Sequence, residues 1–181
     1  MRYIFFLAAA LIFLYAGCGE KQVKPKVDTA MDEGEIPAQE SWDSKVIFSD
    51  SGKTTAILYA GHLRIFEQSR ETILDSGVRV DFYNPDEVKT TTLTSKRGRV
   101  DDATRNLYAM DSVVAVSDSG VTIKTDELMW RNKDAKITSD KFVTILTEKE
   151  TIQGYGFESN QSLTNYVIYN ITYSARADSL R

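Results

Sequence analysis

From about Ser41 onward the chain is written in short runs where apolar and polar residues alternate. Val46-Ile47-Phe48 is followed by Asp50-Ser51-Gly52-Lys53, then by Thr54 to Tyr59. Val78, Val80 and Phe82 alternate with Arg79, Asp81 and Tyr83 before the turn residues Asn84-Pro85-Asp86. Val113 to Val116 precedes Ser117-Asp118-Ser119-Gly120, after which Val121, Ile123 and Thr125 alternate with polar residues. Val143 and Ile145 flank Thr144, and Val167, Tyr169, Ile171 and Tyr173 close the series. A period of two in β-branched and aromatic residues predicts strands. Turn residues about every dozen positions predict a sandwich, barrel or roll. Leu63 to Leu74 is the one helix candidate, but Ile65-Phe66 and Ile73-Leu74 form no apolar stripe, so it too reads as strand, including Glu67 to Glu71.

A weak internal repeat runs through this region. Leu93-Thr94-Ser95, Ile123-Lys124-Thr125-Asp126 and Ile137-Thr138-Ser139-Asp140 share the order apolar, polar, Ser or Thr, and Phe157-Glu158-Ser159-Asn160 echoes it. The spacing is irregular, which excludes a fixed-period solenoid and suggests β-hairpins of similar construction.

The N-terminus has a different texture. Arg2 precedes an apolar run from Tyr3 to Ala16, then Gly17 and Cys18. A positive start, a short apolar core and a small-residue exit describe a secretory signal. Leu14-Tyr15-Ala16-Gly17-Cys18 resembles a lipobox: Ala16 and Gly17 fit a narrow protease cleft, and the Cys18 thiol is the nucleophile for lipid attachment. Cys18 is the chain's single cysteine, so no disulfide competes for it. The alternative is a retained anchor helix, although the run is shorter than the roughly 20 residues that span a bilayer. Gly19 to Glu40 is charged, contains Pro25 and Pro37, and lacks apolar periodicity, which describes a tether with an average reach of ~25 Å. The expected organisation is a signal peptide at 1–17, a tether at 18–41, one β-domain at 42–175 and a frayed tail at 176–181.

Composition narrows the chemistry. The formal net charge of −4 argues against a nucleic-acid partner, because backbone binding needs a concentrated positive field. One histidine, His62, and one cysteine leave no His–Cys metal set, and no nucleophile-elbow motif accompanies His62. Asp101-Asp102 and Asp126-Glu127 are sequence neighbours that would face opposite sides of a strand, which does not suit paired acid–base catalysis. Gly154-Tyr155-Gly156-Phe157 has no following helix and reads as a bulge or bend, not a phosphate loop. Lys96-Arg97-Gly98-Arg99 is the one notable basic cluster. It reads as a solvated hairpin tip, with phosphate contact by Lys96, Arg97 and Arg99 as the sharper alternative. No cofactor and no catalytic residue are expected.

Several stretches, in order, carry a family resemblance. They are Ala60-Gly61-His62-Leu63, Val80-Asp81-Phe82-Tyr83 and Leu93-Thr94-Ser95, then Asp126-Glu127-Leu128-Met129-Trp130 and Ile137 to Ile145, and finally Gly154 to Asn160 with Leu163 and Tyr166. Together they resemble the LptC family of periplasmic lipopolysaccharide-export proteins over roughly Trp42 to Tyr173. The resemblance implies an all-β fold, a twisted open β-jellyroll (OstA-like) of antiparallel strands with an apolar interior for acyl chains. It implies lipopolysaccharide accepted from the inner-membrane ABC transporter LptBFG and passed to a periplasmic LptA-like jellyroll by strand pairing. It also implies a place on the periplasmic side of the envelope, here lipid-anchored through Cys18 to the inner membrane. Expected groove residues are Val80, Phe82, Val114, Ile123, Ile145 and Phe157. The expected partner-strand edge is Tyr166, Val167, Ile168, Tyr169, Ile171 and Tyr173. A structural or protein-binding β-rich envelope lipoprotein without lipid cargo is the rival reading, and it would have a filled interior with no apolar slot.

Overall fold

Residues 36–176 are described by the computed structural model. Cys18, the signal segment, most of the expected tether and residues 177–181 lie outside the described residues. The described residues form ten strands: β1 (Gln39–Asp50), β2 (Lys53–Phe66), β3 (Glu71–Tyr83), β4 (Lys89–Ser95), β5 (Arg97–Asp101), β6 (Asn106–Ser117), β7 (Thr122–Arg131), β8 (Lys136–Leu146), β9 (Glu150–Asn160) and β10 (Tyr166–Arg176). They form one antiparallel sheet in the order β1-β2-β3-β4-β6-β7-β8-β9-β10. β5 continues the lane of β4, because both pair with β3 on one side and β6 on the other.

Two boundaries differ from the sequence reading. Glu67 to Arg70 is a turn, not strand, and it joins β2 to β3. The polar Gln68-Ser69-Arg70 and the left-handed Arg70 (φ 56°) explain why pairing stops there. β1 begins at Gln39, three residues inside the stretch read as tether, with Gln39, Glu40 and Ser41 paired to Ile65, Arg64 and Leu63.

A single sheet with one apolar face must cover that face or leave it in water. This sheet covers it by bending along a seam that runs across the strands from β1 to β9. In β2 the register to β3 slips at Gly61, between Ala60 and His62. In β3 the seam falls at Ser76-Gly77, in the β4–β5 lane at Lys96, and in β6 at Asp111-Ser112. It continues through Asp126 to Leu128 of β7 and Asp140-Lys141 of β8 to Gly156 of β9. Left-handed backbone marks the line: Asp43, Ser76, Gly77, Asp111, Ser112 and Gly156 all have positive φ. Extra residues of this kind form β-bulges, which bend a strand and re-aim its side chains. Gly61 is obligatory here, because a Cβ would collide with the Ser76 carbonyl oxygen.

The bulges keep the apolar face inward across the bend. In β2 the buried positions are Ala56, Leu58 and Ala60, then Leu63. In β7 they are Ile123 and Thr125, then Leu128 and Trp130. Each sequence changes parity at the seam. The two halves of the sheet thus face each other over a shared core. Phe82 lies on one side of the seam and Trp130 on the other, three lanes away, yet their rings are 5.5 Å apart. Phe48 of β1 meets the same indole edge-on at 5.3 Å.

The weak repeat is the local signature of this seam. Ser95 donates its hydroxyl to the Arg97 carbonyl at 2.8 Å. Thr125 of β7 donates to the Phe142 carbonyl of β8 at 2.8 Å, and Ser139 of β8 donates back to the Glu127 carbonyl of β7 at 2.7 Å. A bulge frees backbone carbonyls from the ladder, and these hydroxyls supply the missing donors. The fourth copy differs: Ser159 closes the β9–β10 turn by donating to the Asn165 carbonyl at 3.0 Å.

Thr125→Val, which keeps shape and removes the donor, should lower unfolding free energy by about 1–3 kcal/mol in denaturant titration. Thr94→Val should change it by less than ~0.5 kcal/mol, because Thr94 is exposed and its hydroxyl makes only a long 3.4 Å bond. Equal effects at the two sites would remove the seam hydroxyls from the account.

Candidate functional site

The two halves do not meet along their whole length. At the β1 side they leave a cleft of about 450 Å³. One wall comes from Val46, Phe48 and Leu58, the other from Leu63, Ile65 and Val100 beyond the seam. The floor is therefore apolar, and Thr72, Asp102, Arg105 and Asn132 give it a polar rim. β1 is an edge strand with a single neighbour, β2, so among the described residues no strand seals this side of the sheet. A second opening of about 440 Å³ shares Ser49, Arg105 and Asn132 with the first and is predominantly polar.

The expected groove residues sit deeper than the cleft. Val80, Phe82, Ile123 and Ile145 are fully buried in the core, and Phe157 is 1% exposed. Val114 does not face inward. Its neighbours Val113 and Ala115 hold the buried positions, because the Asp111-Ser112 bulge sets the parity of the rest of β6. The residues lining the actual cleft, among them Phe48, Leu63 and Val100, were not singled out from sequence. Alternation marks them as inward-facing, but only the bend shows which inward positions stay uncovered.

The basic cluster is not a hairpin tip. Arg97 and Arg99 lie within β5, paired on both sides, because Lys96 is a kink in a continuing lane and not a reversal. Arg97 is ion-paired to Asp111, whose carboxyl it holds below the ordinary carboxylate range. Arg99 bonds Glu71 at 2.7 Å and stacks 4.2 Å over the Tyr108 ring. Lys96 is exposed at the kink. None of the three lines the cleft.

Among the described residues, β10 pairs only with β9. Val167, Tyr169, Ile171 and Tyr173 are all about half exposed or more, whereas Tyr166 and Ile168 pack against the core. An edge with this much uncovered apolar surface and a row of unpaired backbone groups is unusual without a partner.

His62 closes the other edge. Its Nδ1 lies 2.9 Å from Asp75 of β3, and its Nε2 lies 2.6 Å from Glu40 of β1. Arg64 also reaches Asp75 at 2.8 Å, and Trp42 of β1 stacks on the imidazole at 5.2 Å. A ring flanked by two carboxylates donates to both only as imidazolium. The Glu40 bond, chiefly, raises the His62 pKa above its ordinary 6.5, with Asp75 adding to it and desolvation opposing. For Asp75, desolvation pushes upward, but the bonds from His62 and Arg64 outweigh it and the net shift is downward. Both ring nitrogens are engaged by carboxylates, one from β1 and one from β3, so the arrangement is an ionic clasp between β1, β2 and β3.

The sign of its pH dependence follows. A raised folded pKa gives stability that is complete below pH 6.5 and is lost as pH rises through the folded value. Asp75 works in the opposite direction, through a contribution present above 3.8 and lost as pH falls through its lowered value. The His62 Cε1–H proton resonance, unambiguous in a chain with one histidine, should titrate with a midpoint above 6.5. Glu40→Gln should move the midpoint down. A midpoint at or below 6.5 in the unaltered chain would dismiss the clasp.

Comparison with known proteins agrees with the architecture. The family model described as lipopolysaccharide-assembly, LptC-related, matches residues 4–172, nearly the whole chain. No curated protein matches the chain. An all-β sheet folded over an apolar cleft, with this match along almost its full length, places the chain in the LptC-related family of lipopolysaccharide-assembly proteins, which serves lipopolysaccharide transport.

Proposed function

We propose that the folded sheet is a non-enzymatic carrier that takes lipopolysaccharide from the inner-membrane transporter LptBFG and hands it to an LptA-like jellyroll. The observation that carries this reading is the apolar cleft between the two halves at the β1 edge. A carrier needs burial and not bond chemistry. Each acyl methylene moved from water into such a cleft gains roughly 0.8 kcal/mol. The cleft fits the carrier better than the rival envelope protein with a filled interior. Acyl chains would enter past Phe48, Leu63 and Val100 and press toward the deeper wall of Val80, Phe82, Ile123, Ile145 and Phe157.

The exposed backbone and apolar side chains of β10 suit docking of a partner strand, through main-chain hydrogen bonds that extend the sheet. Acylated Cys18 would tether the roll to the membrane that supplies its cargo, and the polar segment from residue 18 to β1 would set its reach. Arg97 and Arg99 are engaged by carboxylates, so any phosphate they meet must displace Asp111 or Glu71.

A photo-crosslinking residue placed at Phe48, Ile65 or Val100 in cells should trap lipopolysaccharide. The same residue at Thr94 or Val114, on the outer face, should not. Adducts confined to the outer face would overturn the carrier reading. Ile171→Pro, which removes a backbone donor and breaks the β10 edge, should reduce capture of the next jellyroll at least several-fold while leaving lipopolysaccharide capture at Phe48 intact.

A further inference from the structure

Trp130 carries a donor with nothing to donate to. The residue is 1% exposed, and its indole Nε1 has no hydrogen-bond acceptor among the described residues. Buried indole N–H groups are ordinarily paired. The orphan is also placed suggestively. Trp130 lines the polar opening beside Arg105, Asn132 and Lys133, while its ring packs edge-on against Phe48, which lines the apolar cleft. The two openings are neighbours, both bordered by Ser49, Arg105 and Asn132. Trp130 therefore stands between the apolar cleft and the polar opening.

The charges around the mouth indicate which acceptor belongs there. Arg105 and Lys133 have no ion-pair partner among the described residues, but Asp50 and Asp102 also border the two openings, and Asp134 is held by Arg131 through two bonds of 2.8 and 2.7 Å. The signs balance, so the mouth is not built as an anion trap. A neutral acceptor at the end of an apolar chain fits both halves of the site.

We infer that Trp130 Nε1–H is the donor for the carbonyl oxygen that joins an acyl chain to its polar headgroup. The inference rests on the carrier reading and deepens it. The chain lies along Phe48, Leu58 and Ile65, the ester or amide carbonyl meets the indole, and the headgroup extends past Asn132 into the mixed-charge mouth. The contact sets how far a chain slides in, because the carbonyl stops at Trp130. It also makes the cleft selective for acyl over alkyl chains, a distinction that burial alone cannot draw.

The test uses the ¹⁵N-labelled full chain, which has two indole signals, from Trp130 and from Trp42, the latter 66% exposed and a built-in control. Two probes are titrated below their micelle concentrations: dodecanoyl-lysophosphatidylcholine and its ether-linked counterpart, which lacks the carbonyl. The ester should move the Trp130 N–H proton downfield, leave Trp42 in place and bind about five- to tenfold tighter than the ether. Trp130→Phe should abolish the ester's advantage while the ether's affinity changes little. If both lipids perturb the cleft signals of Phe48 and Ile65 but affect Trp130 alike, or with equal affinity, the carbonyl contact is overturned and the carrier reading stands. If neither lipid perturbs the cleft, the carrier reading fails and takes the contact with it.

Discussion

The structure depends on one constraint: a ten-stranded sheet with a single apolar face cannot lie open in water. The face carries Leu58, Leu74, Phe82, Ile123, Trp130 and Ile145, each 1% exposed or less, and there is no helix among the described residues to cover them. The sheet must cover itself. It does so by placing irregularities at the same level in the strands from β1 to β9, so that long strands become two facing halves. The cost is a line of left-handed residues and freed carbonyls. Ser95, Thr125 and Ser139 supply hydroxyls where the ladder fails, and small or short polar side chains occupy the strained positions.

The same constraint explains the site. A sheet folded over on itself meets fully where its strands are interior and incompletely where it ends. At the β1 edge the halves diverge over Val46, Phe48, Leu63 and Val100, and the cleft is the uncovered remainder of the core. The ionic clasp at His62 holds the start of β1 to β2 and β3, and so fixes the strand whose later residues wall the cleft. Membership of the LptC-related family gives this geometry its biological setting, in lipopolysaccharide assembly.

Strands were legible in the sequence because alternation is local. Val78-Val80-Phe82 and Ile123-Thr125 announce their inward face without help from the rest of the chain. The seam was half legible. The repeated apolar, polar, Ser or Thr pattern was visible at Leu93, Ile123 and Ile137, but a bulge interrupts the very periodicity by which strands are recognised. Val114 was assigned inward because nothing near it reveals how many extra residues Asp111-Ser112 inserts. Arg97 and Arg99 read as a tip for a similar reason: a charged stretch containing glycine looks the same whether the chain reverses or merely kinks. The cleft was not legible at all. It depends on where two halves of one sheet part, and that is a property of the bend and not of any segment.

The order of the strands has a consequence of its own. Apart from the β4–β5 lane, each strand lies beside the one made just before it, and β1 and β10 are the two margins. Contacts between consecutive strands close only short loops, and such topologies assemble without a search among distant partners. A chain delivered N-terminus first can therefore lay down its sheet vectorially, one hairpin at a time. Of the ten strands, β10 comes latest in chain order, and among the described residues its outer edge stays unpaired, so the sheet grows from the β1 margin toward an edge that is still open.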